Sequence, residues 1–377
     1  MHGSGRLGSV KGIWAQPMSV LLVTKPMTAP WHDSSSQLAR VLAVGLYRLD
    51  PSISLRVMTT AQGAGIKGVV EEVIYSHGGG FAPGLLQNVR VFLRLLGHRG
   101  EALRHYFFAP NPRSAWAARA AHSLRSSPSI QTLCSMPPAG RLLKPSLFAD
   151  RNLVLSAAAQ ERLGNEGIES HLVEPAVLPL RSSQSGVDRC RARFGDYLLF
   201  AGDLRDGGGA LEAIETLACL PSECKLVIAS RPKGADYARC LAAVEGRIHD
   251  LGLSERVHCL GRIDWIGDLV AGARAQLLPA TDLTAKMDYP LVLLEGLAAG
   301  VPAVVAESAP MAACHDGQSV FAAPAADASA LAAACEAVLS DDAGHQAKQL
   351  YAERFLPERF AGEVLQHYND LGIGSVA

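Results

Sequence analysis

The chain carries almost no excess charge: 35 Lys and Arg against 36 Asp and Glu leave a formal net charge of −1 over 377 residues. That balance argues against a dedicated nucleic-acid binder, which needs a basic surface to meet phosphates. A cysteine framework is also missing. The eight cysteines, at 134, 190, 219, 224, 240, 259, 314 and 335, include no Cys-x-x-Cys pair, so they read as reduced, mostly buried thiols, neither disulfides nor a zinc site. No apolar run reaches the roughly 18 residues of a membrane-spanning helix, because Glu295 or Gly and Pro interrupt the longest candidates. Residues 1–17 are Gly-rich and lightly basic without an apolar signal core, and read as a flexible leader. His-Glu-x-x-His, Asp-x-Asp and a carboxylate pair suited to glycoside hydrolysis are all absent.

What is present is a composition of 49% hydrophobic and 19% charged residues, that of an ordinary soluble α/β protein. The length suffices for two domains with separate cores. Short apolar strands at 19–24, 55–58 and 69–75 alternate with a helix that Asp33 or a neighbouring serine caps and that Leu38, Val41, Leu42 and Leu46 face inward. Residues 84–106 read as a basic amphipathic helical stretch, followed by strands at 106–112, 130–135 and 153–156. The pattern weakens around Pro175, Pro179 and a Ser-rich turn, then restarts with strands near 197–203, 225–230, 257–261 and 275–279 and helices between them. The expected division is a leader at 1–17, a first domain at 18–180, a linker at 181–192, a second domain at 193–360 and a tail at 361–377. Strand, helix, strand in this spacing implies parallel sheets, whose ligands gather at the carboxyl ends of the strands.

One segment stands apart. Lys286-Met287-Asp288-Tyr289-Pro290-Leu291-Val292-Leu293-Leu294-Glu295-Gly296-Leu297-Ala298-Ala299-Gly300-Val301-Pro302 sets a single carboxylate, Glu295, in an otherwise apolar helix that leads into a strand. A buried carboxylate must be paired, protonated or turned to a ligand cleft. A helix starting near Pro290 or Leu291 also leaves backbone N–H groups unpaired at its first turn, where the dipole favours an anion such as a pyrophosphate.

This segment resembles the donor-site signature of retaining GT-B glycosyltransferases, the family 4 type also called glycosyl transferases group 1. The resemblance covers most of residues 18–370 and is strongest over 197–305. It implies an α/β protein of two doubly wound, Rossmann-like domains facing a central cleft. It also implies a nucleotide-sugar donor, a glycan, glycolipid or small-molecule acceptor, and no metal or other cofactor. In the family the second of two glutamates holds the ribose hydroxyls, and Glu295 occupies that position; the first is replaced by Met287, leaving Lys286 and Asp288 as the nearest polar groups. The amides around Tyr289, Leu291 and Val292 would hold the diphosphate.

The family's Gly-Arg-Leu turn and Lys-Gly pair correspond here to Gly202-Asp203-Leu204-Arg205-Asp206-Gly207-Gly208-Gly209, with Asp203 where Arg is common and Gly208 where Lys is common. Gly202 and Gly207 would allow close approach to phosphate, and Arg205 is a nearby cation. Arg231, Lys233 and Lys286 are expected to replace the missing pair at the departing diphosphate, Asp288 to contact the sugar, and His32 to serve as the alternative acid or base. The ten Lys and Arg against two acids between Val89 and Arg151 imply contact of the first domain with an anionic membrane, at the inner face of a cytoplasmic membrane, or else a solvated helix face. A catalytically inactive GT-B protein, acting as a sugar-nucleotide binder or partner subunit, is the second expectation, since it would explain Met287, Asp203 and Gly208 together.

Overall fold

The computed structural model describes residues 18–29, 33–76, 84–97, 100–108, 111–123, 127–339 and 343–372. The leader and His32 lie outside them. The first half alternates as β1 (Ser19–Val23), α1 (Ser34–Leu49), β2 (Ser54–Thr59), β3 (Val69–Val73), α2 (Leu85–Leu96), β4 (Leu103–Phe107), α3 (Pro112–Ser123), β5 (Ser129–Leu133), β6 (Arg151–Val154), α4 (Ala157–Asn165) and β7 (His171–Leu172). Its strands are parallel, in the order β3-β2-β1-β4-β5-β6-β7. As the apolar spacing requires, α1 buries Leu38, Val41, Leu42 and Leu46, and the Asp33 carboxylate caps it by accepting the Ser36 N–H at 3.2 Å.

The helix expected over 84–106 is shorter. It stops at Leu96, and Gly100, at φ 81°, helps turn the chain so that Arg104 and His105 fall in β4. Arg94, Glu72, Glu101 and Arg104 form a buried ionic cluster beneath it.

The second half runs α5 (Gln184–Phe194), β8 (Tyr197–Ala201), α6 (Ala210–Cys219), β9 (Lys225–Ala229), α7 (Tyr237–Asp250), β10 (Val257–Leu260), α8 (Ile266–Gly272), β11 (Ala275–Leu278), α9 (Leu291–Ala299), β12 (Ala303–Ala306), β13 (Val320–Ala323), α10 (Ala328–Val338), α11 (Ala343–Arg354) and α12 (Pro357–Asp370). Its parallel sheet has the order β10-β9-β8-β11-β12-β13. In each sheet the order reverses once, at β1/β4 and at β8/β11, and these switch points are where a crevice opens above the carboxyl ends.

Two expected boundaries are corrected. Most of the stretch 181–192 is helix: Ser183 caps α5, whose Val187, Cys190 and Phe194 are buried, and α5 packs on α8. Residues 361–370 are likewise no tail but the body of α12, whose Phe360, Ala361, Val364 and Tyr368 are buried as it packs across α1 in the first domain. Gly45 permits that crossing, since a Cβ there would stand 2.3 Å from the Pro357 carbonyl oxygen. Through α11 and α12 the apolar core is continuous from Val20 and Leu55 in the first sheet to Leu198 and Val304 in the second.

Candidate active site

The loop leaving β8 turns sharply at Gly202 and sends Asp203 into the crevice, where its carboxylate accepts a hydrogen bond from the Lys286 ammonium and lies 3.7 Å from Lys233 Nζ. Burial pushes the Asp203 carboxyl up, but Lys286, Lys233 and Arg231 outweigh it and hold it below the ordinary carboxylate range. Lys286 shows the opposite balance: burial, with Lys233 beside it, exceeds the pull of Asp203 and brings the ammonium down to about 8. The three cations expected around the departing diphosphate are therefore gathered around one acid. Gly208, where a lysine would be common in the family, has no room for a side chain, since its Cβ would meet the Asp203 oxygen at 2.5 Å and the Arg205 oxygen at 2.8 Å, both backbone.

Across the crevice, α9 begins at Leu291 after Pro290 with no side-chain cap, so its first amides are open to a ligand. Glu295 lies about one turn further in, on the side that lines the cleft. Burial pushes its carboxyl up to about 8, and among the described residues no hydrogen bond or ion pair reaches it. Of the three alternatives open to a buried carboxylate, pairing is thus not what the fold provides. The carboxyl is raised, and it faces the cleft.

The neighbouring residues are distributed differently from expectation. Asp288 does not line the cleft: its buried carboxylate accepts the Ser156 hydroxyl, which also caps α4, so it joins the two domains and is not aimed at a sugar. The Tyr289 side chain points away too, buried against Phe355 with ring centroids 6.2 Å apart. Gly207 supports the site from behind, its carbonyl accepting the amides of Thr281 and Asp282 at 3.0 Å each. Arg205 lines the cleft but its guanidinium is engaged by Asp282. Gly202, Leu291, Val292, Arg231, Lys233 and Lys286 line the cleft as expected, while the expected role of His32 falls outside the described residues.

The cleft encloses about 990 Å³ and is walled by both domains. Among the described residues eight Lys and Arg and five Asp and Glu line it, an excess suited to a polyanionic ligand. Four of those cations were not singled out from the sequence: Lys25, Arg40, Arg181 and Arg262. Lys25 follows the end of β1 and Arg262 the end of β10, so strand-end position could have found them. Arg40 reaches the cleft from the body of α1 and Arg181 from the crossover, and only packing reveals either. Burial, and secondarily Arg181, lowers the Arg40 guanidinium. On the first-domain wall Lys25 Nζ meets the Asp33 carboxylate at 2.5 Å, beside Ser34 and Gln37.

Two parallel-sheet Rossmann-like domains about such a cleft are the GT-B fold, and residues 195–341 match the family Glycosyl transferases group 1. With that domain in this fold, the chain is a glycosyltransferase in class. The fold is shared with Anabaena HepE in complex with UDP and glucose, at a TM-score of 0.71 and 15% identity over 93% of this chain and 99% of that one. Sucrose-phosphate synthase from Thermosynechococcus elongatus aligns at a TM-score of 0.73 and 17% identity over 95% and 100%. AviGT4, a glycosyltransferase involved in avilamycin A biosynthesis, aligns at 0.66 and 18% over 95% and 99%. Among curated proteins none matches the sequence.

Proposed function

We propose that the chain is a retaining glycosyltransferase of the family 4 type, moving a sugar from a nucleotide-sugar to a glycan, glycolipid or small-molecule acceptor. The observation that carries this reading is Glu295: a carboxyl without a protein partner among the described residues, raised by burial, facing a cation-rich cleft beside an uncapped helix start. Glu295 accepts the ribose hydroxyls, the first amides of α9 take the diphosphate, and Lys286, Lys233 and Arg231 neutralise it as it leaves. That Anabaena HepE was solved with UDP-glucose supports a donor of this class. As the bond from the anomeric carbon to the phosphate oxygen breaks, the acceptor oxygen bonds to that carbon on the same face and its proton passes to the departing phosphate. The anomeric configuration is thereby retained without a protein nucleophile. The counter-charge in this reading comes from side chains, with no metal or other cofactor assigned to it.

Asp203 replaces the family's arginine with a carboxylate that holds the lysines in place until a diphosphate competes for them. Asp288 acts through the contact between domains. We place the reaction on the cytoplasmic side, at the membrane surface, with a lipid-linked acceptor.

A panel of nucleotide-sugars tests this: one donor should raise the melting temperature and slowly release its nucleoside diphosphate, and product NMR should show the donor's anomeric configuration. Binding without release even with acceptors supplied would make the chain a binder, and an unchanged donor affinity in Glu295→Ala would sink the assignment.

A further inference from the structure

Helix α2 is apolar on its outward side as well as on the inward side that packs Val91 and Leu95 into the core. Its buried side holds Gln87, Val91, Arg94 and Leu95, with the Arg94 guanidinium 2.9 Å from Glu72 and 3.2 Å from Glu101. Its outward side holds Leu85, Leu86, Val89 and Leu93, exposed by 80, 78, 46 and 60%. An amphipathic surface helix ordinarily turns its leucines inward, and each one left outside forgoes about 1.5–3 kcal/mol. Leu85, Val89 and Leu93 lie one turn apart and form a single ridge, with Leu86 alongside. Trp116 on α3, 71% exposed, and Leu142, 68% exposed, extend it over contiguous elements, because α2 packs on α3 and Arg119 of α3 donates to the carbonyls of Pro145 and Leu147 just beyond Leu142. Six of the twelve large hydrophobic residues exposed among the described ones lie on these neighbours, which makes a patch of what would otherwise be scatter.

The charge around the patch has one sign. Between Gly84 and Phe148 the sequence contains one acid, Glu101, and it is buried against Arg94 and Arg104. Arg90, Arg119, Arg141 and Lys144 are exposed. A neutral protein partner would leave these cations unanswered, and a second copy meeting face to face would set them against themselves.

We propose that this face docks on an anionic membrane, the leucines and Trp116 entering the boundary between headgroups and acyl chains while the cations meet the headgroups. The inference rests on, and deepens, the reading of a lipid-linked acceptor. In a doubly wound sheet the helices α2 and α3 start from the carboxyl edge, the edge on which the cleft opens, so Leu85 and Leu86, in the first turn of α2, lie toward that edge. Docking there holds the cleft at the layer from which a lipid-linked headgroup projects.

The test uses the full chain and sedimentation with vesicles, without donor or acceptor. Phosphatidylcholine vesicles carrying phosphatidylglycerol should carry the chain down, pure phosphatidylcholine should retain far less, and added salt should weaken the binding. The double variant L86S/L93S should lose about tenfold or more in partitioning with its melting temperature preserved, since both side chains are exposed, and Trp116→Ala should bind more weakly as well. The proposal is overturned if the wild type stays in the supernatant, if the leucine variant binds as well as wild type, or if the wild type is a dimer that the leucine variant dissolves. Vesicle binding is read without chemistry, so its failure leaves the transferase reading standing, and failed donor turnover leaves vesicle binding standing.

Discussion

Glu295 is where fold and function pull apart. Its carboxyl ionises at about 8 against an ordinary 4.5, so the folded chain holds a proton there that the unfolded chain has released. Stability from this group is present below about 4.5 and declines as pH climbs through about 8. Glu295→Gln removes that slope, and denaturant titration near pH 8 should find the variant more stable by roughly 1–3 kcal/mol. Donor affinity should move the other way. Ribose hydroxyls that donate to a carboxylate favour its ionised form, so wild-type affinity should rise with pH until about 8 and binding near neutrality should release a proton. Calorimetry in buffers of different ionisation enthalpy measures both, and a pH-independent affinity would remove Glu295 from the ribose. Asp203 carries a second prediction. It competes with diphosphate for Lys286 and Lys233, so Asp203→Asn should bind free nucleoside diphosphate about tenfold more tightly, read by the same calorimetry; weaker binding would make Asp203 a necessary organiser of the cations.

Among the elements, α12 decides more than its place at the chain's end suggests. His105 in β4 is fully buried, with Nδ1 2.7 Å from the Tyr368 hydroxyl of α12 and Nε2 2.7 Å from the Thr132 hydroxyl of β5. Burial, and secondarily His367, pushes this imidazole down to about 3. Between pH 6.5 and 3 the unfolded chain therefore takes up a proton that the folded chain refuses, and the stability carried by neutral His105 drains away as pH falls through that window. Glu295 works in the opposite sense over this range, so the comparison is made in the Glu295→Gln background: there the denaturation midpoint should drop from pH 7.5 to pH 5, and drop less when His105→Gln is added; equal slopes would place the acid sensitivity elsewhere. Gly45→Ala, at the α1–α12 crossing, should cost about 1–3 kcal/mol because the added methyl meets backbone.

The sequence made most of the strands and the helices α1, α6, α7 and α9 legible, because each carries its own period and its own cap or break, but it placed β4 too late and did not show the short edge strands β7 and β13. It did not disclose α5, whose few inward residues find their partner only on α8, nor the return of α12 to the first domain. The site divides in the same way. Glu295 and the strand-end cations follow from local pattern, whereas Asp288 and Tyr289 fall at a helix start where the orientation of each side chain is set by tertiary contacts.

At the scale of the molecule, two domains facing a cleft need not behave as two folding units. The loop between β11 and α9, which carries Lys286, is tied to the first domain twice: the Ala285 N–H donates to the Met136 carbonyl at 2.9 Å, and the Asp288 carboxylate accepts from Ser156. Ala285 holds a positive φ of 58° to do so, a conformation that L-residues adopt at some cost and that these contacts sustain. Beneath them α11 and α12 carry a single apolar core from one sheet to the other. Domains that share a core and a bridging loop lose both when either melts, so calorimetric heating of the free protein should give one cooperative endotherm and no pair of separable peaks. Ser156→Ala removes one tie and leaves Asp288 buried without its donor, which should lower the transition temperature and broaden it while the far-ultraviolet spectrum at room temperature stays unchanged. Two resolved endotherms in the wild type would mean that the core contacts through α11 and α12 are too weak to couple the halves. A single sharp endotherm that Ser156→Ala leaves in place would assign the coupling to that core and free the loop's contacts for adjusting the cleft.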